Sequence, residues 1–268
     1  MKSLSITRKL ILSLILISLL PYALISYVNY SAEEKALEKK ILDDLSALVE
    51  AKNTHISTVV NFRIEQANEI ATSNFMQEIG SSNTNNLNFN IERVKKEIPV
   101  FLEISAIDRE GNVVASTDRI LINSNFSEKE LFKRAKEKLY IGGLEHYDNR
   151  TGFIISSPVF NRSTHEFQGV VAFRIYPKLI YDVTGDYTGL GETGESLLVQ
   201  KREDYVVFLN PLRHDESAAL RLWVPINSPI AEPAKHAANG EMGMLRGYFI
   251  SPYSQPWHFL SAGNSQVR

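Results

Sequence analysis

The chain of 268 residues sets 29 lysines and arginines against 31 aspartates and glutamates, a formal net charge of -2. So even a balance gives no general electrostatic reason to expect nucleic-acid binding, and the length allows one or two ordinary domains with a real core. Cysteine is absent, which excludes disulfides and cysteine-ligated metals.

Lys2, Arg8 and Lys9 precede an uncharged run from Leu10 to Val28. As a helix that run spans roughly 28 Å at about 1.5 Å per residue, close to the thickness of a hydrocarbon core. The first acidic residues come after it, at Glu33 and Glu34. The basic flank predicts a cytoplasmic N-terminus over 1–9, a transmembrane signal-anchor over 10–30 and the rest of the chain outside. A cleaved signal peptide is the competing reading, although the run is long and no clear small-x-small site comes after it. Pro21 inside the run is tolerable in a membrane helix.

From Ser31 to Met76 there is neither proline nor glycine. Ser31 with Glu34 fits a capping box. Leu37, Ile41, Leu45, Leu48, Ile56, Val59, Ala67 and Ile70 recur at helical spacing. The spacing predicts one amphipathic stalk helix over 31–76, ~65 Å long at 1.5 Å per residue. Such a helix must pack against the remainder of the chain, or against a second copy of itself. Two shorter helices broken near Lys52-Asn53 are the alternative.

Residues 79–86 read as a polar loop, and Leu87 to Lys96 as a short helix stopped before Pro99. Phe101 to Ile107 is rich in β-branched and aromatic residues, as a buried strand should be. Asp108-Arg-Glu-Gly-Asn112 is a turn in which Gly111 can take positive φ, and Val113 restarts the strand. Ile120 to Phe126 is a connector. Ser127-Glu-Lys-Glu130 predicts a capped helix to about Lys138. Leu144 to Tyr147, Gly152 to Phe160 and Gly169 to Tyr176 alternate as three strands, with turns at Asn149-Arg-Thr-Gly152 and Asn161-Arg-Ser-Thr164. The layout is α+β: a five-stranded antiparallel sheet with helices on one face.

Pro177 to Val183 reads as a return helix, and the polar stretch from Gly185 to Gly194 as a boundary. The pattern then partly repeats, with a strand over Ser196 to Gln200, a turn over Lys201 to Asp204 and a strand over Tyr205 to Leu209. Partial self-similarity of this kind points to a second, smaller copy of the same module.

In this order and spacing the chain resembles the extracytoplasmic double Cache sensor domain of bacterial histidine kinases, diguanylate cyclases and chemoreceptors. The likeness covers residues 30 to 248. It rests on the anchor, the long first helix, Ile107-Asp-Arg-Glu-Gly-Asn-Val-Val-Ala-Ser116, Ser156-Ser-Pro-Val-Phe160 and Gly169-Val-Val-Ala-Phe173. Gly191-Glu-Thr-Gly-Glu-Ser-Leu-Leu-Val199 and Gly240-Glu-Met-Gly-Met-Leu-Arg-Gly247 add to it. The resemblance implies two PAS-like modules, membrane-distal over 77–184 and membrane-proximal over 185–248, with an atypical tail over 249–268. It also implies a small ligand bound in the distal module, between the sheet and the loops that cover it.

The pocket candidates read from the distal strands and covering segments are Asp118, Arg119, Tyr140, Tyr147, Arg150, Ser156, Arg174 and Tyr176. Arginine clamps a carboxylate at two points, and tyrosine walls an aliphatic part while donating its hydroxyl. For any single one of these, an exposed strand or turn residue is the plainer reading. Amino-acid-binding members carry Arg-x-Trp-Tyr after the covering helix, whereas Lys136-Glu-Lys-Leu-Tyr-Ile-Gly142 stands here, which counts against an amino-acid ligand.

Other chemistry finds little support. Gly189-x-Gly191-x-x-Gly194 matches a dinucleotide fingerprint, but a helix precedes it and a strand comes after, the reverse of what that site needs. The six histidines are scattered without ligand spacing, and no nucleophile elbow, P-loop or HExxH is present. Acidic pairs such as Glu33-Glu34 and Asp43-Asp44 are most simply solvated helix faces. Asn29, Asn125, Asn149 and Asn161 head glycosylation sequons that matter only in a eukaryotic secretory route, against which a cysteine-free ectodomain leans.

In the family, the Gly-Tyr after Met244-Leu-Arg leads into a further hairpin, a closing strand, a second membrane helix and an output domain. Here Gly247-Tyr-Phe-Ile-Ser-Pro-Tyr-Ser-Gln-Pro-Trp257 departs from that pattern, and no second apolar run comes after it. Either Pro256-Trp-His-Phe-Leu-Ser261 is a shortened last strand, or the residues after Tyr248 are a truncated or frameshifted tail that leaves the second module incomplete; the second reading is favoured.

The expectation is a single-pass protein of the bacterial inner membrane with its bulk periplasmic or extracellular. It binds a small molecule without cofactor, metal or nucleic acid, and has no catalytic or output domain of its own. It pairs as a homodimer through the stalk helix or with a full-length receptor. A non-catalytic envelope scaffold is the alternative, discriminated by a distal module without a closed pocket.

Overall fold

The computed structural model describes residues 6–81, 84–147, 150–192, 194–241, 243–245, 248–251 and 258–262, the last three stretches as backbone. One continuous helix, α1 (Ile6–Ala71), opens the chain and contains Pro21. It does not break near Lys52, and Ser31 lies within it rather than at a start, so Ser31 with Glu34 forms no capping box. Every described side chain from Ile6 to Tyr30 is exposed, and this segment is apolar and long enough to cross a membrane. Ile41 and Leu42 are half-buried, and full burial begins at Leu45, from which Val49, Lys52, Ile56, Val60, Ala67 and Ile70 are buried at helical steps. Leu37, expected in that stripe, is 46% exposed.

A 3₁₀ turn (Asn74–Glu78) and α2 (Asn85–Glu97) come next, α2 burying Leu87, Ile91 and Val94. The first sheet consists of β1 (Phe101–Asp108), β2 (Val113–Ser116), β3 (Tyr140–Ile141), β4 (Glu145–Tyr147), β5 (Arg150–Phe160) and β6 (Phe167–Ile175). Its order is β2-β1-β6-β5-β3, with β4 on the start of β5, and each pairing is antiparallel. The two-residue β3 is the strand that alternation alone does not reveal. In the β1–β2 turn Gly111 has φ +92°, and Asp108 Oδ1 accepts the amides of Glu110 and Asn112 at 3.0 and 2.8 Å.

The expected capped helix after Ser127 is shorter. It comprises α3 (Glu130–Lys133) and a 3₁₀ turn (Arg134–Lys136), and its N-cap is Lys129. Ser127 turns back instead, its hydroxyl donating to Asn125 Oδ1 at 2.6 Å. At Asn161-Arg-Ser-Thr164 the expected turn forms, and Arg162 docks it on the end of α1 by donating to the Thr72 carbonyl and Asn74 Oδ1. Of the other expected turn, Asn149 lies outside the described residues.

Helix α4 (Lys178–Gly185) leads to the second sheet, made of β7 (Glu195–Arg202), β8 (Tyr205–Phe208), β9 (Trp223–Pro225), β10 (Gly243–Leu245), β11 (Tyr248–Ser251) and β12 (His258–Ala262). Their order is β10-β11-β12-β7-β8-β9. Strand β12 pairs with both β11 and β7. Among the described residues the second sheet therefore has six strands, not the incomplete set that the sequence favours. The closing strand His258–Ala262 matches the alternative reading of Pro256 to Ser261 as a shortened last strand, which the prolines and polar residues before it made the less favoured one.

One face of each sheet joins a common core with α1. Phe101, Ile104, Phe153, Phe173 and Ile175 contribute from the first sheet, and Leu198, Val207 and Leu209 from the second. The outer face of the second sheet carries Leu197, Val199, Val206 and Phe208 and is covered by α5 (Glu232–Ala238). Lys52 ties the junction. Its ammonium donates to the Val183 carbonyl at 3.0 Å, to the Asp186 carbonyl and to Ser196 Oγ at 3.1 Å. These bonds satisfy carbonyls at the C-terminal end of α4, and burial holds the Lys52 amine below its ordinary pKa.

Candidate functional site

The face of the first sheet turned away from α1 is part apolar and part polar. At one end Phe132 and Ala135 of the covering segment pack on Ile107, Val113, Val170 and Ala172. Toward the other end strand register assembles a polar surface. Ser116 stands opposite Ser105, Ser105 opposite Ala172, Ala172 opposite Ser156, and Ser156 opposite Tyr140. One step along, Glu103 stands opposite Arg174. Directly opposed residues share a face, so the two-residue alternation of five strands sets this layout.

The side chains interlock. Arg174 Nε lies 3.2 Å from Glu103 Oε2, with the two side chains 11% and 7% exposed. Ser105 donates its hydroxyl to Glu103 Oε1 at 2.8 Å and lies 2.9 Å from Ser116 Oγ, which in turn accepts the Asp118 amide at 3.0 Å. The Arg174 guanidinium sits 3.9 Å from the centre of the Tyr147 ring, a cation–π contact. Tyr147 donates its hydroxyl to Asp118 Oδ2 at 3.2 Å. Burial, then the nearby Glu103 and Asp118 carboxylates, push the Tyr147 phenol up to about 12. Asp118 also accepts the Ile120 amide, which fixes the covering 3₁₀ turn Arg119–Leu121.

Ser156 is different. It is fully buried, and its hydroxyl has no hydrogen-bond partner. A buried hydroxyl without a partner carries an unmet desolvation cost.

Of the eight sequence-predicted residues, Asp118, Tyr140, Tyr147, Ser156 and Arg174 come together on this face or at its edge. Tyr140 is half-buried, and burial raises its phenol. Arg119 is exposed beside them on the covering turn. Arg150 and Tyr176 are elsewhere, with Leu102, Thr151 and Tyr181 in a separate cleft of about 410 Å³. Sequence reasoning missed Glu103, Ser105 and Ser116. The signal was present for the first two, as polar residues two apart inside an otherwise apolar strand. Among the described residues no cluster of metal-ligating side chains exists.

No protein-family model matches the chain, and no curated protein matches it. Solved structures do. The sensor domain of the Vibrio cholerae histidine kinase DctB is 15% identical, with a TM-score of 0.56 over 87% of this chain and 99% of that one. The ligand-binding domain of the Campylobacter jejuni chemoreceptor Tlp3 in complex with L-valine is 11% identical, with a TM-score of 0.62 over 87% and 96%. The fold is that of receptor sensor domains. The ligand-binding domain of the Pseudomonas aeruginosa amino-acid chemoreceptor PctC in complex with GABA gives 0.59 at 15% identity, over 81% of this chain and 97% of that one. These neighbours are ligand-binding sensor domains of receptors rather than catalytic domains.

Proposed function

We propose that the chain is a membrane-anchored extracytoplasmic sensor of the double Cache kind. It binds a small polar molecule on the outer face of the first sheet and passes the change along α1. The apolar start of α1 is the anchor, with the basic N-terminus in the cytoplasm. Contacts along α1 support calling the second sheet membrane-proximal: Lys52 meets Ser196, whereas Asn68, farther from the anchor, accepts from Ser157 of the first sheet. The exposed side of α1 is the route to a second copy or to a partner receptor. Ligand would act by favouring one of two arrangements of sheet and helix. The protein binds its ligand without transforming it.

The observation that carries this reading is the buried polar row, with its ion pair and the partnerless Ser156 hydroxyl. A panel of amino acids, amines, short carboxylates and sugars, screened by thermal shift on the full chain in nanodiscs, tests it. A ligand that stabilises the wild type as its concentration exceeds Kd, and not Arg174→Met or Ser156→Ala, is the expected result. Equal stabilisation of wild type and both variants would put the ligand elsewhere. For the orientation, alkaline phosphatase fused after residue 268 should be active; an inactive fusion of normal abundance would reverse it.

A further inference from the structure

The link between β3 and β4, Gly142-Gly143-Leu144, belongs to both halves of the molecule. Tyr140 and Tyr147 flank it, and both border the polar face. Its own anchor in the first sheet is the Gly142 amide, which donates to the Ile154 carbonyl at 2.8 Å. Its other anchor comes from the second sheet. Arg202 at the end of β7 donates from Nη2 to the Leu144 carbonyl at 2.5 Å, and from Nε to Gln200 Oε1 at 2.9 Å. The fit of Gln200 is close, since a Cβ on Gly143 would lie 3.2 Å from its side-chain amide. Leu144 itself is fully buried, in the same core cluster as Leu198, Val207, Leu209 and Leu220 of the second half.

This is a charge-assisted bond, and its arginine is half-buried and 5.9 Å from the Trp223 ring of β9. It fixes one carbonyl in the short stretch that carries two walls of the site. A shift of Tyr147 on Arg174, or of Tyr140 beside Ser156, must move residues 142–144, and they can move little without disturbing Arg202. We infer that Arg202 is a positioning residue through which the polar face and the second sheet sense each other, by a route separate from α1. The inference rests on the sensor reading for its purpose, but the linkage exists with or without a ligand. Coupling of this kind is reciprocal, so a change at either end is read at the other.

Hydrogen exchange on the full chain in nanodiscs, measured by mass spectrometry, tests it. Arg202→Met should speed exchange over 140–147 roughly ten-fold, as loss of one such bond implies, and leave 101–108 unchanged. Arg202→Lys should restore part of the protection. In the other direction, Tyr147→Phe should speed exchange over 200–208 in the wild type and have no such effect in the Arg202→Met background. A merely local arginine gives additive changes, with the effect of Arg202→Met confined to 195–208, and that result overturns the inference. If Arg202→Met does not fold, the same comparison is made in Arg202→Lys, where additivity again overturns it. Failure of the sensor reading looks different, because no ligand from the panel then alters exchange over 140–147 while the coupling between variants persists.

Discussion

Glu103 and Arg174 form an ion pair removed from most solvent, in a sheet whose other face is mainly apolar. Taking either charge out of water costs several kcal/mol, and the pair holds because each offsets the other. Glu103→Ala should therefore cost about 3–5 kcal/mol in chemical denaturation, since it strands the arginine. The double variant Glu103→Met with Arg174→Met should recover most of that loss while abolishing ligand response. Tyr147 gives a pH test. Its folded-state ionisation lies near 12 against an ordinary 10. The neutral phenol is the form that the fold favours, so its contribution is fully present below pH 10 and is lost as pH rises through 12. Tyr147→Phe should flatten the fall of stability over that window, and the variant should lose one of the late tyrosinate steps in absorbance that Tyr147 shares with the half-buried Tyr140 and Tyr181.

At the level of elements, α1 divides at Leu45. Leu45→Ala should cost about 2–5 kcal/mol, whereas Leu37→Ala should fall within about 0.5 kcal/mol of wild type; thermal denaturation of the two separates packed from unpacked helix. Much of this layer was legible in the sequence. The apolar run, the helix without proline or glycine, the β1–β2 hairpin and β5 to β8 all announce themselves through period and turn chemistry. What was not legible depends on tertiary partners. Val49 rather than Leu48 faces the core, because a small error in helical phase accumulates over many turns. Ser127 looked like a cap, but Asn125 takes its hydroxyl first. Glu103 shows in the sequence as a polar residue two before Ser105 in an apolar strand, but its partner is legible only from the cross-strand register that sets Arg174 opposite it. Strand β3 is two residues long and carries no period at all.

For the molecule as a whole, the last strands decide whether the second sheet holds. Strand β7 is flanked by β8 and β12, and only the former is near it in sequence. A chain ending at residue 241 would leave β7 as an open edge, which invites intermolecular pairing. Such a chain should aggregate and lose exchange protection over 195–202 while 101–108 stays protected. The unpacked length of α1 has a further consequence, in angle rather than energy. Residues 32–40 are all exposed, so extra residues there would meet no packing. Each adds about 1.5 Å of height and turns everything beyond it by about 100°. One insertion would face the polar surface toward a different neighbour, while seven would bring it back to within about 20° of its first bearing. The stretch is thus a phase-setting shaft: its residue count, more than its chemistry, decides which side of the sensor a second copy meets.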